Sequence, residues 1–190
     1  MRKILTTFAA LHALLVAVLF TTAAHAATAP LRTDHLTSRL VAAATAVTPG
    51  QALDVGLLLE HDPHWHTYWQ NAGDSGSATQ MAFTLPDGFT AGDIRWPVPE
   101  RIPVLGLVNY GYSDRALLPV RITVPAPLPA GEVTLVLKAD WLICAEECIP
   151  GEGEYRLTLP VAAAGTSAGA PGATDPRWAA DFARPEARPP

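Results

Sequence analysis

The sequence predicts an all-β protein built as an antiparallel β-sandwich of immunoglobulin-like type. Three observations carry this reading. Apolar and polar residues alternate over several stretches, the period of a strand with one buried face. Turn residues interrupt those stretches at short intervals. No segment ahead of the C-terminal tail shows a helical apolar period. Roughly seven to nine short strands with frequent turns fit a sandwich, and a barrel of the same strands is the alternative.

The elements follow in chain order. Met1-Arg2-Lys3 is a charged start, Ile4 to Thr22 carries no formal charge, and Ala24-His25-Ala26 supplies small residues at the exit. That is the build of a secretory signal peptide cleaved after Ala26, with a retained membrane anchor as the alternative. The expected compartment is therefore the periplasm. The mature chain from Ala27 is long enough to bury its own core. Without Arg2 and Lys3, 11 basic residues face 18 acidic ones, a net charge near −7. With no basic patch, nucleic acid is not an expected partner. No second apolar run resembles a membrane span.

Strand signals begin with Arg39–Val47. Leu53, Val55, Leu57 and Leu59 then alternate with Asp54, Gly56, Leu58 and Glu60. Shorter candidates follow at Trp65–Gln70, Thr79–Leu85 and Asp93–Trp96. Val120, Ile122 and Val124 alternate with Arg121 and Thr123. Val133 to Trp141 and Tyr155 to Val161 repeat the pattern. Pro49-Gly50, Gly73-Asp74-Ser75-Gly76, Pro86-Asp87-Gly88, Pro127 to Gly131 and Pro150-Gly151 mark turns.

Arg95 to Gly111 differs, because Pro97, Pro99 and Pro103 precede the apolar Val104-Leu105-Gly106-Leu107-Val108. Prolines keep such a segment out of a central strand, so it reads as a long ordered loop with an apolar tip. A simple crossover whose apolar residues fill the end of the core is the alternative. The domain is expected to end at residue 163. Residues 164–190 then read as a flexible tail rich in Ala, Gly and Pro, with Asp175 to Ala183 as a short helix capped by Asp175.

Cys144 and Cys148 are the two cysteines of the chain. In an exported protein two cysteines normally pair. Ala145-Glu146-Glu147 forms a three-residue hairpin loop between them, which puts the two Cα atoms within disulfide range. Closing so small a ring contributes only about 2 kcal/mol through chain entropy. A redox role is one reading of the pair; an inert hairpin clip and two free thiols are the others. Glu146 and Glu147 disfavour a thiolate nearby, so the pair is expected to wait for a stronger attacking partner. His61, His64 and His66 cluster in sequence, and with the two thiolates they give an alternative metal site for copper or zinc. Trp65, Tyr68 and Trp69 are expected to pack in the core or on the sheet surface.

The segments His64-Trp65-His66-Thr67-Tyr68-Trp69, Asn71 to Gly76, Arg95-Trp96-Pro97, Val108 to Tyr112 and Asp140 to Pro150 occur in this order. In that combination the chain resembles the N-terminal periplasmic domain of DsbD-type thiol:disulfide interchange proteins, in the branch related to ScsB, over about Leu36 to Val161. The resemblance implies an immunoglobulin-like fold whose cysteine pair, here Cys144 and Cys148, accepts electrons from a membrane reductase domain. The pair would pass them to periplasmic thioredoxin-fold partners, such as disulfide isomerases and cytochrome c maturation proteins. No cofactor beyond the disulfide is implied; copper belongs to the alternative reading as a copper-tolerance module. The resemblance also implies a cap loop over the cysteines, matching roughly Pro103 to Tyr112. Leu107 and Val108 would lie at its tip, with Tyr110 and Tyr112 as neighbours of the disulfide.

Overall fold

The computed structural model describes residues 26–162 and 175–186 of the chain. The expected signal peptide, apart from Ala26, and most of the expected linker lie outside these residues. Strands β1 (Leu31–Thr33), β2 (Leu36–Ala42), β3 (Leu53–His61), β9 (Arg115–Thr123) and β6 (Thr90–Ile94) form one antiparallel sheet in that spatial order. A second antiparallel sheet runs β11 (Cys148–Pro160), β10 (Glu132–Cys144) and β5 (Gln80–Thr84). A third runs β4 (Thr67–Gly73), β8 (Leu107–Tyr112) and β7 (Glu100–Val104).

Alternation explains how the first two sheets form a sandwich. Leu53, Val55, Leu57 and Leu59 of β3 and Leu118, Val120 and Ile122 of β9 project into one cluster. Val133, Leu135, Leu137, Ala139, Trp141 and Ile143 of β10 meet them from the facing sheet, with Tyr155, Leu157 and Leu159 of β11. Removing this apolar surface from water is what drives the sheets together. Within it, the buried Ser38 and Tyr155 hydroxyls satisfy each other at 2.6 Å.

The expected loop at 95–111 is a hairpin instead. β7 and β8 pair from Glu100–Gly111 to Val104–Leu107, so only Leu105 and Gly106 form the turn. Both have positive φ, +50° and +88°, as a type I′ turn requires. Pro103 is tolerated because β7 is the outer strand of its sheet.

The tail also differs from expectation. Its helix α1 covers only Ala179–Phe182, and Asp175 caps the preceding turn by accepting the Arg177 N–H at 3.0 Å. This segment is docked onto the body. Trp178, 8% exposed, packs on Val41, Leu58 and Leu117, the outward-facing residues of β2, β3 and β9. Leu58, which alternation assigns to the wetter face, is fully buried for this reason. Arg115 holds Asp181 through two hydrogen bonds of 3.1 and 2.8 Å and also reaches Glu60. Arg95 pairs with Glu186 at 2.9 Å. At the start of the described residues, Ala26 is fully buried and its carbonyl accepts the Ala42 N–H at 2.8 Å. No helix among the described residues is long and apolar enough to cross a membrane.

Candidate functional site

The β10–β11 hairpin is paired in unbroken register from Glu132–Pro160 to Cys144–Cys148. Its last rung is the disulfide, with the two Cα atoms 4.1 Å apart. Ala145-Glu146-Glu147 makes the expected loop, closed by the Ala145 N–H donating to the Glu147 carbonyl at 2.9 Å. The two sulfur-bearing residues are not equivalent. Cys144 is 1% exposed, whereas Cys148 is exposed at the hairpin end. The difference follows from register: Cys144 is also paired on its other side, exchanging backbone N–H···O bonds of 2.9 Å with His66.

That pairing brings β4 to the disulfide. Two residues past His66, the buried Tyr68 places its hydroxyl 3.7 Å from Cys148 Sγ. A disulfide sulfur has no proton, so the phenol is the donor. Burial raises the Tyr68 pKa, and a hydrogen bond involving Ser75 offsets this in part, so the phenol keeps its proton at neutral pH. The His66 ring meets Tyr68 edge-on at 5.1 Å between centroids. Its Nε2 is buried with no hydrogen-bond partner among the described residues, and burial lowers its pKa, keeping the ring neutral.

The other expected site residues lie on the neighbouring sheet. Tyr112 is a core residue whose hydroxyl donates to the Pro97 carbonyl at 2.8 Å; burial raises its pKa. Tyr110 meets Trp69 edge-on at 6.5 Å. Val108 is fixed to Asp74, donating its N–H to Asp74 Oδ2 at 2.8 Å and accepting the Asp74 N–H at 3.0 Å. Leu107 is 43% exposed. The tyrosine on the sulfur is therefore Tyr68, which sequence pattern assigned to packing. The signal that could have singled it out is its strand, since β4 had to pair somewhere and a Tyr buried at a sheet end needs a polar partner.

His61, His64 and His66 do not converge. His61 bonds Thr67 Oγ1 through Nε2 at 2.9 Å and faces the Asp114 carbonyl through Nδ1 at 3.3 Å. Burial pushes its pKa down to about 4. His64 is exposed, with φ of +73°, in the turn ahead of β4 rather than on a strand face with His66. Among the described residues no group of three or more His, Cys, Asp or Glu side chains is placed to hold a metal ion.

A family model described as thiol:disulfide interchange protein DsbD, N-terminal, matches residues 35–160. Among solved structures, the N-terminal periplasmic domain of ScsB from Proteus mirabilis is similar, with TM-score 0.52 and 23% identity. The match covers 72% of this chain and 52% of that one, so the chain spans about half the length of that structure; at this identity the likeness bears on fold alone. AvmM, which catalyzes macrocyclization in alchivemycin A biosynthesis, overlaps at TM-score 0.28 and 9% identity, over 71% of this chain and 94% of its own, and carries no structural argument. No curated protein matches the chain.

Proposed function

Because the chain belongs to the DsbD N-terminal family of thiol:disulfide interchange proteins, we propose that it is a periplasmic electron-relay domain working through Cys144–Cys148. The observation that carries the proposal is the asymmetry of the pair: an exposed Cys148 bonded to a buried Cys144 at the end of a hairpin. Exchange needs an accessible sulfur, and burial of the other directs attack to Cys148.

In the first half-cycle a thiolate of a membrane reductase domain attacks Cys148 Sγ. The Cys144–Cys148 bond breaks, and Cys144 leaves as a thiolate that takes up a proton. The donor's second thiolate then attacks its own sulfur in the mixed disulfide and releases Cys148 as a thiolate. Two electrons have moved, and the donor dithiol has become a disulfide. In the second half-cycle the Cys148 thiolate attacks the disulfide of a periplasmic thioredoxin-fold partner. Cys144 then resolves the mixed disulfide and regenerates the starting state.

The β7–β8 hairpin supplies the docking surface in this proposal. Leu105 at its tip is 85% exposed, and Leu107 and Tyr110 on β8 are exposed as well. A β-turn that holds a leucine in the left-handed region and in water serves stability poorly, which supports a binding role for the tip. This hairpin contains Pro103 to Tyr112, the segment expected as a cap; Cys148 is exposed, so here the segment is read as a docking surface.

The test is the reduction potential of the pair in glutathione buffers. A relay equilibrates with glutathione, at a potential between those of cytosolic-type donors and oxidising periplasmic partners. A potential below roughly −300 mV would identify a structural clip and overturn the proposal.

A further inference from the structure

The Tyr68 hydroxyl reaches Cys148 only because its ring is held in one place, and the structure shows what holds it. Gly73 to Gly76 folds over the ring. A Cβ at Gly76 would overlap the ring carbons of Tyr68, so only glycine permits this approach, and its φ of +89° suits glycine as well. At its ends the loop is held by backbone pairing, Gly73 with Asn109 of β8 and Ala78 with Tyr68 itself, and between them Asp74 and Ser75 depend on side chains. It is tied by two side-chain contacts to β8. One is the Asp74–Val108 pair described above. The other comes from Asn109, which is polar and yet 1% exposed. Its Oδ1 accepts both the Ser75 N–H and the Ser75 hydroxyl, each at 3.1 Å. A buried carbonyl oxygen with two donors from one residue fixes that residue's backbone and rotamer together.

We propose that Asn109 is a positioning residue for the redox site: by clamping Ser75 it holds Gly76 against the Tyr68 ring, and so keeps the Tyr68 hydroxyl on the Cys148 sulfur. The inference rests on the relay reading above and adds to it the residue that sets the reactivity of the attacking sulfur. In the reduced protein the phenol donates to the Cys148 thiolate. A hydrogen bond to the charged form lowers a thiol's pKa and opposes the effect of Glu146 and Glu147 in the adjoining loop. Released from the clamp, the ring can turn away and the thiolate loses its donor. Asn109 touches neither sulfur, so its influence must pass through Tyr68.

The experiment measures the pH dependence of Cys148 alkylation by iodoacetamide in the fully reduced chain, with the modified peptide identified by mass spectrometry. Tyr68→Phe is expected to move the profile to higher pH and slow alkylation at neutral pH by about three- to tenfold. Asn109→Ala should move it in the same direction, and Asn109→Ala added to Tyr68→Phe should change nothing further. Should Asn109→Ala fail to fold, Ser75→Ala keeps the backbone N–H bond but removes the hydroxyl that bonds Asn109 and the Tyr68 phenol, and it should move the profile in the same direction. Additive effects of Asn109→Ala and Tyr68→Phe, or an unshifted profile in folded Asn109→Ala or Ser75→Ala, would overturn the positioning role. Failure of the wild-type pair to exchange with glutathione at all would instead remove the relay reading, so the two failures are distinguishable.

Discussion

At the scale of single residues, Cys144 separates a redox bond from a structural one. Its disulfide closes a very short ring beneath an already complete ladder. Cys144→Ser is therefore expected to abolish turnover while lowering stability by no more than about 3 kcal/mol. Urea unfolding measures the second quantity and an insulin-type or partner reduction assay the first. His61 makes a separate prediction. Its pKa of about 4 in the folded chain lies below the ordinary value of 6.5. As pH falls through 6.5 the unfolded chain gains a proton that the folded chain refuses. Stability from the neutral His61 is thus complete above about pH 6.5 and is lost as pH falls toward 4, by at most about 3 kcal/mol. His61→Gln should flatten that part of the stability–pH curve measured by denaturant midpoints. The two cysteines and their loop were legible in the sequence because local spacing alone sets their geometry. Tyr68 was not, because its meeting with Cys148 depends on β4 crossing to the end of β10, a contact between segments 80 residues apart.

At the scale of elements, the β7–β8 hairpin is where sequence pattern and structure part. The three prolines argued for a loop; Pro97 and Pro99 precede β7, and Pro103 is accommodated within it because one flank of β7 pairs with nothing among the described residues. The turn was hidden as well, since Leu105-Gly106 lacks the Asn-Gly or Asp-Gly signal of a type I′ turn. Leu105 has a Cβ in the left-handed region, which costs roughly 1 kcal/mol relative to a residue suited to it. Leu105→Asn is therefore expected to raise the melting temperature by a few degrees. If the tip docks a partner, the same change should slow partner-driven reduction of Cys144–Cys148 while leaving reduction by dithiothreitol unchanged. Calorimetry and stopped-flow reduction check the two halves. The long strands β3 and β10 and the second half of β11 were legible, because each carries a two-residue period with one face in the common core. By contrast, β1 was missed, and the strands expected at Arg39–Val47 and Asp93–Trp96 lie about three residues earlier, at Leu36–Ala42 and Thr90–Ile94, where the period is short or absent.

At the scale of the whole molecule, the segment 175–186 belongs to the folded body although its composition and the preceding linker suggested a free tail. Trp178 lies over Val41, Leu58 and Leu117, with the guanidinium groups of Arg39, Arg115 and Arg177 5.4–5.9 Å from its ring. The outward leucines were the available clue, since Leu58 and Leu117 on a solvated face need a cover. Trp178→Ala should cost about 3 kcal/mol or more, as loss of a large buried aromatic does, and thermal unfolding would measure it. A melting curve unchanged by that substitution would mean that the segment contributes nothing to the fold. The last rung of the β10–β11 ladder has a consequence for biogenesis. Cys144 and Cys148 lie four residues apart and meet at the end of one ladder. Oxidation of this pair therefore joins two sulfurs that the hairpin already holds side by side. In the proposed relay the same bond is made and broken at the end of a hairpin whose remaining rungs stay paired, so redox cycling and oxidative folding would draw on one local event.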